Sequence, residues 1–278
     1  MSFTFAHISD LHLGNMPKVS FLQLMGKRLT GYLSWHLNRK GHHRLEVLDA
    51  LKEDLQKQQP DHICITGDIV NISLPNEFRQ AQAWLEDLGA SDQLSVIPGN
   101  HDAYVANTLN LWQDTDFPFV HKKDGVAFIG VSSAVPMPPF IAAGKIGDEQ
   151  LAKLAQILKE TESEGLTRVI LIHHPVQHHR KIWRKSLWDT DALKKVIKEN
   201  GAELVLHGHI HKPLFEEIEG KNGKKVPVYG AGSASLYDPK KGHMAHYQLF
   251  NVGKGQISVS HHVYEPSSHS FIQTDIHY

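Results

Sequence analysis

The chain has 278 residues, 41% hydrophobic and 21% charged, enough apolar material for a sizeable core in one large domain or two small ones. Its 29 Lys and Arg against 30 Asp and Glu give a net charge of -1, which leaves no overall field to gather nucleic acid, so any basic surface has to be local. The lone cysteine, Cys64, excludes an internal disulfide. The opening MSFTFAHISD has no secretory pattern and no apolar run nears the roughly 20 residues that span a bilayer, so a reduced, cytoplasmic protein is expected, soluble or peripheral to a membrane.

In chain order, short apolar runs predict strands over residues 3–9, 62–66, 94–98, 126–131, 168–173 and 203–207. Amphipathic periods between them predict helices over 44–59, 76–88, 148–164 and 189–200. This alternation is an α/β order. After His211 the pattern changes: VPVYGAGS, HYQLF and QISVSHHVY read as consecutive strands joined by turns such as EGKNGKK, a second sheet. Without a repeat, low-complexity tract or linker, residues 1–278 read as a single domain. It carries a basic insertion at about 16–44, in which Leu22, Met25, Leu29, Tyr32, Leu33 and His36 recur at helical spacing among Lys18, Lys27, Arg28, Arg39, Lys40 and Arg44.

Polar residues gather where the strands end: SDLH at 9–12, GDIVN at 67–71, GNHD at 99–102, HHP at 173–175 and GHIH at 208–211. Open α/β sheets hold ligands outside the carboxyl ends of their strands, so these loops converge on one crevice. Taken singly each is ordinary turn chemistry, since Gly-Asp after a strand is more often a turn or cap and the Pro of HHP merely ends the strand. GHIH says more, because two imidazoles one residue apart share a side of an extended segment. Five such loops together, each supplying Asp, Asn or His, read as a metal site.

In that order the blocks follow D-x-H, G-D-x-x-[DN], G-N-H-[DE], H and G-H-x-H, and the chain resembles the calcineurin-like metallophosphoesterases from Asp10 to His211, about three quarters of its length. The resemblance implies an α/β four-layer sandwich, two mixed sheets flanked by helices. It implies one metal on Asp10, His12, Asp68 and His211 and a second on Asp68, Asn100, His173 and His209, with Asp68 shared. His173 is preferred to His174 because the family ligand usually sits two residues before the Pro. Asn71 stands where many members have Asp and supports its loop. His101 is implied to contact the phosphoryl group or leaving group and donate a proton, with Asp102 orienting it.

Carboxylate, amide and imidazole ligands without thiolate suit manganese first, then iron or zinc. The expected reaction is in-line attack of a metal-bridging hydroxide on a phosphodiester, a cyclic nucleotide or similar. Two other readings stand beside it: hydrolysis of a lipid-linked or nucleotide diphosphate at a membrane surface, and a catalytically silent binding scaffold. The intact ligand set favours the enzyme, and a nucleic-acid substrate comes last. The insertion and VQHHRKIWRKSLWD at 176–189, with Arg180, Lys181, Trp183, Arg184, Lys185 and Trp188, both leave loops that carry expected ligands. They read either as a cap for an anionic substrate with an apolar part, able to lie on an anionic membrane, or as cover for the core. Cys64 and Trp84 read as packing, His207 is expected to face away from the metals, and the tail HSFIQTDIHY shows scattered polarity and no visible chemistry.

Overall fold

The computed structural model describes all residues except 1, 2, 14, 15, 17, 18, 40, 107, 109–115, 178, 179, 254, 255 and 277. Strands numbered in chain order form two six-stranded sheets. The first contains β1 (Phe3–Ile8), β2 (His62–Ile65), β3 (Leu94–Val96), β12 (His246–Gly253), β13 (Gln256–Glu265) and β14 (Ser270–Thr274), in the order β14-β13-β12-β1-β2-β3. The second contains β4 (Phe119–Lys123), β5 (Val126–Gly130), β6 (Thr167–Leu171), β7 (Leu204–His207), β8 (Leu214–Glu219) and β9 (Lys225–Gly230), in the order β4-β5-β6-β7-β9-β8. β1–β3 run parallel, as do β5, β6, β7 and β9, and the outer strands are antiparallel. A ribbon of β10 (Tyr237–Asp238) and β11 (His243–Met244) completes the strands. The helices are α1 (Lys27–Ser34), α2 (Leu45–Gln58), α3 (Pro75–Leu88), α4 (Asp148–Ser163) and α5 (Thr190–Asn200).

Successive side chains of a strand point to opposite faces, and that alternation sorts the apolar residues into layers. Phe3 and Phe5 of β1, Val126 and Phe128 of β5, Val169 and Leu171 of β6, and Leu204 and Leu206 of β7 meet between the two sheets. There Phe5 stacks on Phe250 at 4.9 Å and meets Phe128 edge-on at 5.1 Å. The alternate residues Ala6 and Ile8 pack outward with Val47, Leu51 and Leu55 of α2 and Phe78 of α3. On the other side Ala127, Ile129, Ile170 and Val205 pack with Leu154 and Leu158 of α4 and Leu193 and Ile197 of α5. The layers are therefore helices, sheet, sheet, helices, as the resemblance implied. Strands covered on both faces read as continuous apolar runs; β2 and β5 are buried at every position.

One expectation changes. The late strands do not form a sheet of their own, because β12–β14 extend the first sheet beside β1 while β8 and β9 extend the second. The alternation of β8 and β9 shows which residues face inward, but it carries no record of which sheet's edge a strand joins. The tail, with no visible chemistry in its sequence, supplies edge strand β14. Cys64 is fully buried, and Trp84 packs against the α2–α3 side of the first sheet.

Candidate metal centre

The five polar loops all leave the carboxyl ends of parallel strands, β1, β2, β3, β6 and β7, and they are laced together by backbone hydrogen bonds. Asp10 N–H donates to Gly67 O, His12 N–H to Asp68 O, and Gly208 N–H to His173 O, at 2.9, 3.0 and 3.1 Å. Asp10, His12, Asp68, His209 and His211 all have positive φ, between 43° and 71°. Each such non-glycine residue costs on the order of 1 kcal/mol or more and persists only where its surroundings impose it. The loops also close too tightly for side chains: a Cβ on Gly99 would strike Asp68 Oδ1, and one on Gly208 would strike Ser9 Oγ. Glu77, buried in the first turn of α3, accepts N–H groups of Asn71, Ile72 and Leu74 and so fixes the loop after Asp68.

These constraints bring the expected residues into two groups that share Asp68. Asp10, His12, Asp68 and His211 form one, and Asp68, His173 and His209 the other, with donor atoms inside each group within 4.8 Å of one another. His211 Nε2 lies 3.1 Å from Asp10 Oδ1 and 3.4 Å from His12 Nε2. His173 Nε2 lies 3.4 Å from Asp68 Oδ2, 3.3 Å from Asn100 Oδ1 and 3.3 Å from His209 Nδ1. Donor atoms bonded at about 2.1 Å to a common ion stand roughly 3.0–3.4 Å apart at octahedral to tetrahedral angles. The donor set thus fits divalent cations. Among the described residues no hydrogen bond reaches the buried His209 Nε2.

The electrostatics agree. Burial pushes the Asp10 and Asp68 carboxyls up, but His211 beside Asp10, and His173 and His101 beside Asp68, more than reverse this. Burial pushes His173 down, yet Asp68 and then Asp10 draw it up to about 9. His209 is held well below its ordinary value by burial and by His174 and His173, so it is neutral. A cation offered to this cluster competes with the His173 proton for the same lone pair.

His101 sits at the rim, its ring edge-on to His12 at 5.0 Å and stacked on Tyr104 at 5.5 Å. Its Nδ1–H donates to the Asn71 carbonyl, and its backbone N–H donates to Asp68 Oδ1 at 2.7 Å. The orienting role expected for Asp102 gives way to a different one. Its carboxylate accepts the backbone N–H groups of Gly99, Ile69 and Val70 and staples two ligand loops together, while the Asn71 carbonyl holds the His101 ring. A carboxylate adjacent in sequence points across the turn, which spacing alone does not reveal. Burial and the Asp68 charge raise the Asp102 carboxyl to about 7. His174 lies behind His209, ring to ring at 4.5 Å, with Nδ1 on Ser133 Oγ and Nε2 facing the Ala142 carbonyl.

Sequence reasoning missed His43 and the loop that carries it. His43 Nδ1 pairs with Ser235 Oγ at 2.8 Å, and its ring stands 4.5 Å from that of His12. It offers a nitrogen within 4.8 Å of those of His12 and His211. The loop leaving β9 positions it: Ser233 Oγ donates to Asp10 O at 2.7 Å, and Arg44 N–H donates to Ser235 O at 3.1 Å. The available signal was AGSAS at the end of a predicted strand. An apolar cleft of about 690 Å³ beside α3, lined by Phe78, Leu85 and Phe119, contains none of these residues.

Two mixed sheets clad in helices, with a carboxylate and imidazole cluster at the strand ends, define a metallophosphoesterase architecture. The chain belongs to the calcineurin-like phosphoesterase family, whose model matches residues 3–213. A probable cyclic nucleotide phosphodiesterase of Rhodococcus erythropolis is 29% identical over 185 residues, 63% of this chain and 58% of that protein. A cAMP/cGMP dual specificity phosphodiesterase of Mycobacterium tuberculosis is 24% identical over 243 residues, 84% of this chain and 68% of that protein. In fold, a dimetal phosphatase from Danio rerio aligns with a TM-score of 0.61 at 14% identity, covering 92% of this chain and 95% of that one. A purple acid phosphatase from yellow lupin aligns at 0.63 with 10% identity, covering 98% of this chain and 53% of that one.

Proposed function

We propose that this protein is a dinuclear metal-dependent phosphodiesterase for small phosphodiesters, with cyclic nucleotides as the first substrates to test. The observation that carries the reading is the membership of one buried carboxylate, Asp68, in both donor groups. Asp10, His12, Asp68 and His211 would hold one ion, and Asp68, Asn100, His173 and His209 the other, with manganese preferred by donor type. Such ions, when bound, supply Lewis acidity and acidify a coordinated water towards neutral pH. The names of the two bacterial relatives support a diester, and the intact donor set argues against a silent scaffold. The core shared by both sheets supports a single domain.

The chain's own groups divide the remaining work. With Nδ1–H committed to the Asn71 carbonyl, His101 has Nε2 left to give or take a proton at the leaving oxygen. Asp102 holds the loops on which Asp68 and Asn100 sit. His43, held through Nδ1 by Ser235 and with a nitrogen within 4.8 Å of those of His12 and His211, would donate a hydrogen bond to a phosphoryl oxygen of the substrate.

The test is turnover of bis(p-nitrophenyl) phosphate, p-nitrophenyl phosphate, cAMP and cGMP by protein loaded with manganese, iron or zinc. Metal-dependent turnover with diesters ahead of the monoester is expected. No turnover of any of them, with any metal, would contradict the reading.

A further inference from the structure

Helix α1 presents its apolar side to solvent. Its inner face is held by Gly31, where a Cβ would crowd the Tyr104 hydroxyl and Ile72. Arg28 turns inward and donates to the Ile72 and Ser73 carbonyls, Lys27 Nζ lies 4.3 Å over the Tyr104 ring, and Trp35 is buried. The outer face, continued by the turns on either side, exposes Leu22 at 76%, Met25 at 65%, Leu29 at 42%, Leu33 at 50% and Leu37 at 80%. Leu29, Leu33 and Leu37 follow at steps of four along α1 and the turn after it, and Leu22 and Met25 add to the exposed apolar surface from before the non-helical backbone at Met25 and Gly26. A water-facing helix would place its cations outward and its leucines inward, so this face is built to be covered.

A second apolar rim stands on the other side of the metal centre. Phe140, Trp183 and Trp188 are exposed on two segments joined by Ala142 N–H to Arg184 O and Gly144 N–H to Ser186 O. The Ala142 carbonyl faces His174, whose ring lies against that of His209, while Tyr104 beneath α1 stacks on His101. The two rims therefore flank the donor groups from opposite sides.

Charge identifies the occupant. Residues 16–44 and 176–188 hold ten Lys and Arg and no Asp or Glu, so in a chain of net charge -1 the rest carries -11. Among the described residues Arg184 and Lys185 stand exposed beside Trp183 and Trp188, with the Arg184 guanidinium 5.5 Å from the Trp183 ring, and apolar and Trp side chains beside cations suit an anionic lipid surface. A second copy would set the same cations face to face. We propose that the two rims dock the protein on an anionic bilayer with the metal centre opening towards it. The phosphodiester taken by the site proposed above, on which this last step rests, would then be presented at that surface.

The experiment uses metal-loaded full chain sedimented with vesicles of phosphatidylcholine alone or mixed with phosphatidylglycerol. Wild type should bind the mixed vesicles and leave them at high salt. Leu22→Gln with Leu29→Gln and Leu33→Gln should abolish binding, and Arg184→Ser or Lys185→Ser should weaken it about fivefold each. Solution turnover of bis(p-nitrophenyl) phosphate should be unchanged in all of them. Wild type that ignores anionic vesicles overturns the docking proposal, as does a dimer in size-exclusion chromatography that the Leu→Gln changes dissolve. Vesicle binding without turnover would instead overturn the phosphodiesterase reading and leave docking intact.

Discussion

Asp68 Oδ1 accepts the backbone N–H of His101 at 2.7 Å. The carboxylate common to both donor groups therefore also sets the loop that carries His101, so in the proposed mechanism ligation and proton transfer share one anchor. Removing the His101 side chain leaves that backbone bond in place.

For this reason His101→Ala should keep its metal content while kcat falls about 10²–10⁴-fold, the usual worth of a positioned acid. The loss should be smaller for a p-nitrophenolate leaving group than for an alkoxide, which needs the proton more. Rates across a series of aryl phosphodiesters, with metal content by plasma mass spectrometry, check both. Equal losses across the series would assign His101 to phosphate binding.

Asp102→Asn should act through stability. Losing charge-assisted bonds from buried N–H groups costs about 1–3 kcal/mol, visible as a lower Tm. The dependence of rate on leaving group should match wild type, because Asp102 holds backbone and His101 is held by Asn71. A steeper dependence, like that of His101→Ala, would restore the orienting role.

His43→Ala should retain metal and lower kcat/KM about 10–100-fold, the worth of a hydrogen bond to a charged oxygen. Binding of phosphate, measured by calorimetry on the metal-loaded protein, should weaken with it. Unchanged phosphate affinity would confine His43 to packing against His12.

Buried histidines away from the centre set an acid limit on stability. His7, between Gln248 and Thr66, is pushed down to about 3 by burial, and His246 lies well below its ordinary value for the same reason. His246 Nδ1 accepts the Gly232 N–H, which obliges Nε2–H to donate to His261 Nδ1 and leaves no place for a second proton. The unfolded chain takes up these protons near pH 6.5, whereas folded His7 resists to about 3. Stability is therefore lost as pH falls through that window, by up to about 1.4 kcal/mol per pH unit for each such histidine. Tm should drop steadily from pH 7 to pH 5, and His7→Gln should flatten the slope. A level Tm over that range would refute the assignment.

The strands that build the centre were legible because short buried strands end in polar loops, and the Asp and His residues that the resemblance picked out, Asp10, His12, Asp68, His173, His209 and His211, do lie together there. Sheet membership was not legible, since Phe5 and Phe128 face each other from two sheets yet sit in equally apolar runs. His43 was hidden for another reason. It reaches the centre from the end of an insertion, through Ser235, and its place depends on contacts between segments nearly two hundred residues apart. The outward turn of α1 was equally out of reach, because helical spacing shows that a stripe exists and not which way it faces. Arg28, taken with the surface cations in the sequence reading, proved to be a tether to the Ile72 and Ser73 carbonyls.

Metal stoichiometry of wild type and Asp68→Asn, measured together after manganese loading and desalting, tests the central claim most directly. The account requires about two ions per wild-type chain and no tightly held pair in the variant, with turnover of bis(p-nitrophenyl) phosphate lost alongside. Two retained ions and a wild-type rate in Asp68→Asn would show that Asp68 does not join the two sites, and the dinuclear account would fail.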